Sequence, residues 1–263
     1  MNEYDKQSMD ILVLKLVLAP VIIGSASLAG RKWGPAVSGW IVGLPLTSGP
    51  VIFFLALSHD AGFAANAALG VISGGISLVV YALTYAWLAK RFRWYIALFG
   101  SLTVFAISTT LLQSVTFPLI PIFLVVCTMI ALGLVLMPKG DAEAGEAKPG
   151  NWDIPSRILI GTSFILFITG SASFLGPRLT GLLTTVPLYV TILTIFSHRH
   201  QGPAAAAHVL RGLLYGLFAF AGFFITLSLL IEKTDLGVAF VSAILIALLI
   251  QGTSLWILQQ KHG

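Results

Sequence analysis

Thr116 to Pro138 reads TFPLIPIFLVVCTMIALGLVLMP, and no Asp, Glu, Lys or Arg interrupts it. A bilayer core of roughly 30 Å takes about 20 apolar residues as a helix, so this stretch is long enough to cross once. The rest of the 263-residue chain has the same character: 57% of it is apolar, 10% is charged, and the mean hydropathy is +0.95. Water could not solvate a domain of that composition. A membrane β-barrel would show alternating segments of about ten residues instead of long apolar runs. The expected fold class is therefore an all-α integral membrane protein.

Reading the apolar runs against their breaks predicts nine transmembrane helices, near 9–29, 35–57, 63–89, 94–113, 116–138, 157–175, 179–197, 204–231 and 236–258. The short connection at Gln113-Ser114 would also suit a re-entrant turn. The polar start, Met1 to Ser8, is followed by no small-residue cleavage site, so the first run is read as a retained span. The single cysteine, Cys127, rules out a disulfide or a paired-cysteine metal site within the chain and reads as a packing residue.

Lys and Arg fix the expected orientation, because cytoplasmic loops retain an excess of them. With the amino end outside, the inner loops hold Arg31, Lys32, Lys90, Arg91, Arg93, Lys139, Lys148, Arg157, Arg199 and Lys261, and the outer ones only Lys6, Arg178 and Lys233. The expectation is a multi-pass protein of a bacterial inner membrane, amino end out and carboxyl end cytoplasmic. Its net charge of +5 then faces the anionic inner leaflet and needs no nucleic acid.

An internal repeat divides the chain. Displacing the sequence by 142 positions sets Gly34-Pro35 on Gly176-Pro177, Ser38-Gly39 on Thr180-Gly181, Leu44-Pro45 on Val186-Pro187, Ala64-Ala65 on Ala206-Ala207, and Gly70 and Gly74 on Gly212 and Gly216. Spans one to four (with connector span five, residues 1–138) are thus matched by spans six to nine (157–263), across a Gly-, Pro- and charge-rich cytoplasmic linker at 139–156. Matched spans lie five crossings apart, an odd number, so the two four-span repeats should have inverted topology, the plan of many secondary transporters.

The motif Gly-Pro-x-x-Ser/Thr-Gly, then a Pro in an apolar helix, then a His near its end, occurs as Gly34 to Gly39 with Pro45 and His59, and as Gly176 to Gly181 with Pro187 and His198. It resembles the small four-span bacterial membrane proteins called GlpM-like, here in tandem. That resemblance implies a compact membrane unit and supplies no catalytic residues to carry over. The plan of two inverted units also looks like drug/metabolite transporters, which typically have ten spans.

Chemistry is expected where helices break. Pro45, Thr47, Ser48 and Gly49 of the second span and Thr184, Thr185, Pro187 and Tyr189 of the seventh form paired Pro-containing segments near mid-membrane. Proline removes a backbone donor and clashes with the preceding turn, and a broken helix offers carbonyls and amides to a solute beside protein or a water-filled cavity. The same residues also suit kinked, closely packed helices with no ligand. Ser25, Ser27, Ser171 and Ser173 could add hydroxyls. In span eight, His208, Arg211 and Tyr215 share one face. Arg211 is a candidate solute contact that favours an anion, or an arginine snorkelling to the headgroups; Lys15 reads as snorkelling.

Asp10, Asp60, Glu232 and Asp235 stand at span edges and no Asp or Glu lies deeper, so a carboxylate proton relay at mid-membrane has no support. His198 and His200 stand two apart and read as loop residues and not as a metal site. No nucleophile elbow, phosphate loop or metalloprotease motif occurs, so no enzyme, cofactor or metal is expected. The function these features suggest is a secondary transporter of a small polar or anionic solute by alternating access. The alternative is a non-transporting accessory subunit of envelope polysaccharide or lipid export. The expected partners are the bilayer and a small-molecule solute, and a homodimer is open.

Overall fold

A computed structural model describes residues 12–21, 23–25, 28, 44–115, 117–138 and 153–260. In chain order the helices are α1 (Leu12–Ser25), α2 (Ser48–Ser58), α3 (Ala61–Ala89), α4 (Trp94–Gln113), α5 (Leu119–Leu136), α6 (Asp153–Leu175), α7 (Pro177–Leu183), α8 (Leu188–Gln201), α9 (Pro203–Leu230) and α10 (Leu236–Gln260). Among the described residues there is no strand.

The protein is all-α, and among the described residues seven helical segments are long and apolar enough to cross a membrane, α7 and α8 together making one of them. The two remaining expected spans, 9–29 and 35–57, are represented by the shorter apolar helices α1 and α2. Residues 9–11, 22, 26, 27, 29 and 35–43 of these spans lie outside the described ones, as do Gly34-Pro35, Ser38-Gly39 and linker positions 139–152. The outer helices turn large side chains outward: Phe174 is 92% exposed and Val135 80%. Such surface calls for lipid as its solvent.

Local chemistry sets the helix starts. Asp60 caps α3, its carboxylate oxygen accepting from the Phe63 amide at 2.6 Å. At α7 and α9 a glycine in the left-handed region is followed by proline at the first helical position, Gly176 (φ 75°) before Pro177 and Gly202 (φ 91°) before Pro203. Glycine supplies a turn closed to other residues, and proline loses only an amide that has no helical partner anyway.

α3 and α9 pack against each other at the centre, with 72% and 61% of their apolar windows buried against 22% for α4 and α5. α5 lies in the groove between them, where a methyl at Gly133 would meet Val79 of α3 at 2.9 Å and Leu214 of α9 at 3.3 Å. α7 crosses α3 at backbone distance. A Cβ at Gly181 would overlap the Ala67 carbonyl oxygen, and one at Gly70 would overlap the Arg178 carbonyl. Small residues let membrane helices approach this closely. At the amino end Lys15 sits over the Phe54 ring at 5.6 Å, tying α1 to α2.

The bundle has two distinguishable ends. Ser58, Asp60 and the start of α3 share one end with the α9–α10 turn, since Glu232 reaches the Gly62 backbone. The other end gathers the α3–α4 turn, the close of α5, whose Leu136 carbonyl accepts from Trp87 Nε1 at 3.2 Å, and the last turn of α8, where His198 meets Tyr85.

Candidate functional site

The seventh expected span is broken where its proline sits. α7 stops at Leu183, the amides of Thr185 and Val186 turn back onto Leu182 and Leu183, and α8 starts only after Pro187. In the other half Leu46 donates to Leu44 at 2.8 Å and Gly49 to the Pro45 carbonyl at 2.8 Å, so α2 begins at Ser48. The break before α8 follows from Pro187, which can neither donate nor tolerate a full turn before it, and Pro45 likewise stands just before the start of α2.

The two helix starts meet. Leu44, Leu46, Thr47 and Ser48 from one half and Thr184 through Val190 from the other line a single cavity of about 60 Å³, closed on its sides by Leu78 of α3 and Leu213, Leu217 and Phe220 of α9. Of the residues singled out in the sequence, Thr47, Ser48, Thr184, Thr185, Pro187 and Tyr189 line it. Pro45 and Gly49 lie just behind: a methyl on Gly49 would touch Pro45 Cβ at 3.7 Å and Phe223 Cζ at 3.7 Å.

The polar groups divide by their partners. Thr184 Oγ1 donates to the Gly181 carbonyl at 2.7 Å and Thr185 Oγ1 to Leu182 at 2.6 Å, so both hydroxyls are spent on the backbone of α7. Ser48 is 2% exposed, lines the cavity, and its hydroxyl forms no hydrogen bond among the described residues. Among the described residues no Lys, Arg, Asp or Glu is in the lining. The charge there comes from the backbone, because Thr47-Ser48 opens α2 and Leu188 to Val190 opens α8. A helix start carries roughly half a positive charge, although here the Gly49 and Leu188 amides are already bonded to Pro45 and Val186, and Pro50 has none.

No protein-family model, curated protein or solved structure matches this chain. What the cavity does is therefore argued from its own residues.

Several singled-out residues lie elsewhere. His208 is exposed and its Nδ1 sits 3.1 Å from the Ala204 carbonyl one turn back. Arg211 donates to the carbonyls of Met137 at 3.1 Å and Pro138 at 3.4 Å, where α5 ends. Neither is in the cavity lining, and Ser25, Ser171 and Ser173 are not either. Ser27 is outside the described residues. His198 and His200 are not loop residues, because α8 continues to Gln201 and holds both in its last turn. Among the described residues no group of three His, Cys, Asp or Glu side chains could hold a metal.

One polar line was not singled out from sequence. Tyr81 OH meets Thr191 Oγ1 at 2.8 Å, and one turn on Tyr85 OH meets His198 Nδ1 at 3.3 Å. Their spacing gives the signal: Tyr81 and Tyr85 are four apart, and Thr191, Thr194 and His198 are three and four apart, so each set shares a helix face.

Proposed function

We propose that the protein is a secondary transporter that moves a small anion through the cavity between α2 and α8. One observation carries this reading: both half-helices begin at the same cavity and run from it to opposite ends of the bundle, α2 to the end where α3 starts and α8 to the end where α3 stops. Paired half-helices that present their starts to a mid-membrane site are how discontinuous transporter helices hold anionic groups. Two helix starts without a neighbouring carboxylate favour a negative solute. The cavity is small. A small anion such as nitrate, formate or acetate suits that size better than a sugar does.

An inverted repeat underlies the proposal, and helix boundaries support it. Displaced by 142 positions, Ala61 and Trp94, which open α3 and α4, fall on Pro203 and Leu236, which open α9 and α10. Contacts recur as well: Tyr81 meets Thr191 as Phe223 faces Gly49, and each residue of one pair lies 142 positions from its counterpart in the other. The proposed orientation, with the α8 end cytoplasmic, is supported by charge. That end carries Lys90, Arg91, Arg93 and Arg199 beside Trp87, Trp94 and Tyr95, whereas the other mixes Asp60, Arg178, Glu232, Lys233 and Asp235.

The test is counterflow in proteoliposomes with radiolabelled nitrate, formate, acetate and, as an oversized control, citrate. Exchange of at least one small anion with citrate excluded is the expected result. No exchange of any of them, with a stable protein partner co-purifying from membranes, would favour the accessory role instead.

A further inference from the structure

The two helices that start at the cavity leave it through seams that occupy equivalent positions in the two halves, yet the seams differ in chemistry. On one side α3 reaches α8 through Tyr81, Tyr85, Thr191, Thr194 and His198. The residues 142 positions away are Phe223 and Leu227 on α9 and Gly49, Ile52 and Ala56 on α2, all without a polar side-chain atom. Packing alone does not require this difference, because Phe223 fills against Gly49 the place that Tyr81 fills against Thr191.

The polar seam runs from within one turn of the cavity to the charged end of the bundle. Val190, next to Thr191, and Leu78, one turn from Tyr81, both line the cavity. Thr194 lies one turn from Thr191 and one from His198; it is 0% exposed and its hydroxyl has no partner, which is costly for a buried polar group. A hydroxyl kept unpaired between two hydrogen-bonded pairs is explained if it takes a partner only transiently.

We propose that this seam is a proton path between the Gln201 end of the bundle and the cavity, with His198 as the group that takes up the proton. It rests on the reading of the cavity as a solute site and adds the coupling ion: a proton that enters with the anion cancels its charge. His198 accepts a proton from water on Nε2 and gives the one on Nδ1 to the Tyr85 oxygen, while the Tyr85 hydroxyl proton passes, as the hydroxyls turn, to Thr194 and then to the Thr191–Tyr81 pair, which gives up one of its own to water in the cavity. Each group gains one proton and loses one, and reorientation of the hydroxyls resets the line. Histidine is the side chain whose ordinary titration range suits this exchange at neutral pH. Tyr85 is the titratable group that faces it from α3. From α4 comes Trp94, with the Arg199 guanidinium 5.5 Å over its ring, and the α3–α4 turn carries Lys90, Arg91 and Arg93, with Lys90 5.0 Å over Trp87. From α9 the first turns present His208, bonded within its own helix.

The experiment has two arms on the full chain in a Cys127→Ser background. In the first, Thr194→Cys is compared with Ile52→Cys, its counterpart on the apolar seam, for reaction with a small water-soluble methanethiosulfonate. Because only a thiolate reacts, a cysteine that can lose its proton to a conducting seam should react at least about tenfold faster than one in a dry seam. Equal rates at the two positions would overturn the path whatever the solute is. In the second, proteoliposomes with an internal pH dye receive a nitrate gradient. Wild type should acidify inside, and His198→Gln, which keeps a hydrogen bond to Tyr85 but cannot titrate, should retain nitrate counterflow and lose the acidification. Acidification by His198→Gln as fast as by wild type would remove His198 from the path. Absence of nitrate movement in wild type would count against the anion reading alone, with the thiol rates still deciding the seam.

Discussion

The guanidinium of Arg211 donates to the Met137 carbonyl oxygen at 3.1 Å. Arg178 does the same at the other end of the bundle, donating to the Leu112 carbonyl at 3.0 Å. Each arginine therefore covers the carbonyl end of a neighbouring helix, α5 and α4 respectively, where four carbonyls lack helical partners and the dipole is negative. Neither guanidinium is therefore without a partner.

Arg211→Ala should lower thermal stability while leaving anion exchange close to wild type. Hydrogen bonds to a charged group are worth about 1.5–3 kcal/mol, and that range is the expected loss in a reversible unfolding measurement. A selective loss of exchange with unchanged stability would put Arg211 back among the solute contacts.

The crossing of α3 and α7 makes a sharper comparison. Gly181→Ala drives a methyl into the Ala67 carbonyl, whereas at Gly170 of α6 a methyl meets nothing within 4 Å. Overpacking against backbone costs about 1–3 kcal/mol or more, so Gly181→Ala should reduce folded yield strongly and Gly170→Ala should behave as wild type. Detergent-solubilised thermal melts distinguish them.

Much of this was legible in the sequence. The membrane class follows from runs such as Thr116 to Pro138, and the break at Pro187 follows from a residue that cannot continue a helix. That the two helix starts meet at one cavity was implied by the matching positions of Leu44-Pro45 and Val186-Pro187. The role of Arg211 was not legible, because its partners are backbone carbonyls 73 and 74 positions away, and every residue has a carbonyl. The Tyr81–Thr191 pairing was hidden for a related reason: its partners are 110 positions apart and belong to opposite halves. The end of α8 was drawn too early because His198, Arg199 and His200 read as a polar loop, although the helix continues through them.

A double-mutant cycle on Tyr81→Phe and Thr191→Val should give a coupling of about 0.6 kcal/mol, the usual size for a hydrogen bond between membrane helices. The same cycle on Phe223→Leu and Ile52→Val, on the apolar side, should give no comparable polar term. Zero coupling for the first pair would mean that the 2.8 Å contact does not stabilise the fold.

Labelling fixes the sidedness. Ser58, Ser114 and Arg91 are exposed at helix ends, the first two at the end where α3 begins and Arg91 at the other. Cysteines at Ser58 and Ser114 in a Cys127→Ser background should react with impermeant maleimide in intact cells, and one at Arg91 only after the membrane is opened. The reverse pattern would invert the orientation; a split between Ser58 and Ser114 would overturn the path of α3 and α4.

Thr47 lines the cavity at the start of α2 and is partly exposed, so a cysteine there reports directly on whether one site is reached from two sides. With Thr47→Cys in the Cys127→Ser background, the rate of reaction with an impermeant thiol reagent is measured in right-side-out and in inverted vesicles, with and without nitrate. Alternating access predicts labelling from both sides, slowed by nitrate in each. Labelling from one side only, or labelling that nitrate leaves unchanged on both, would contradict it.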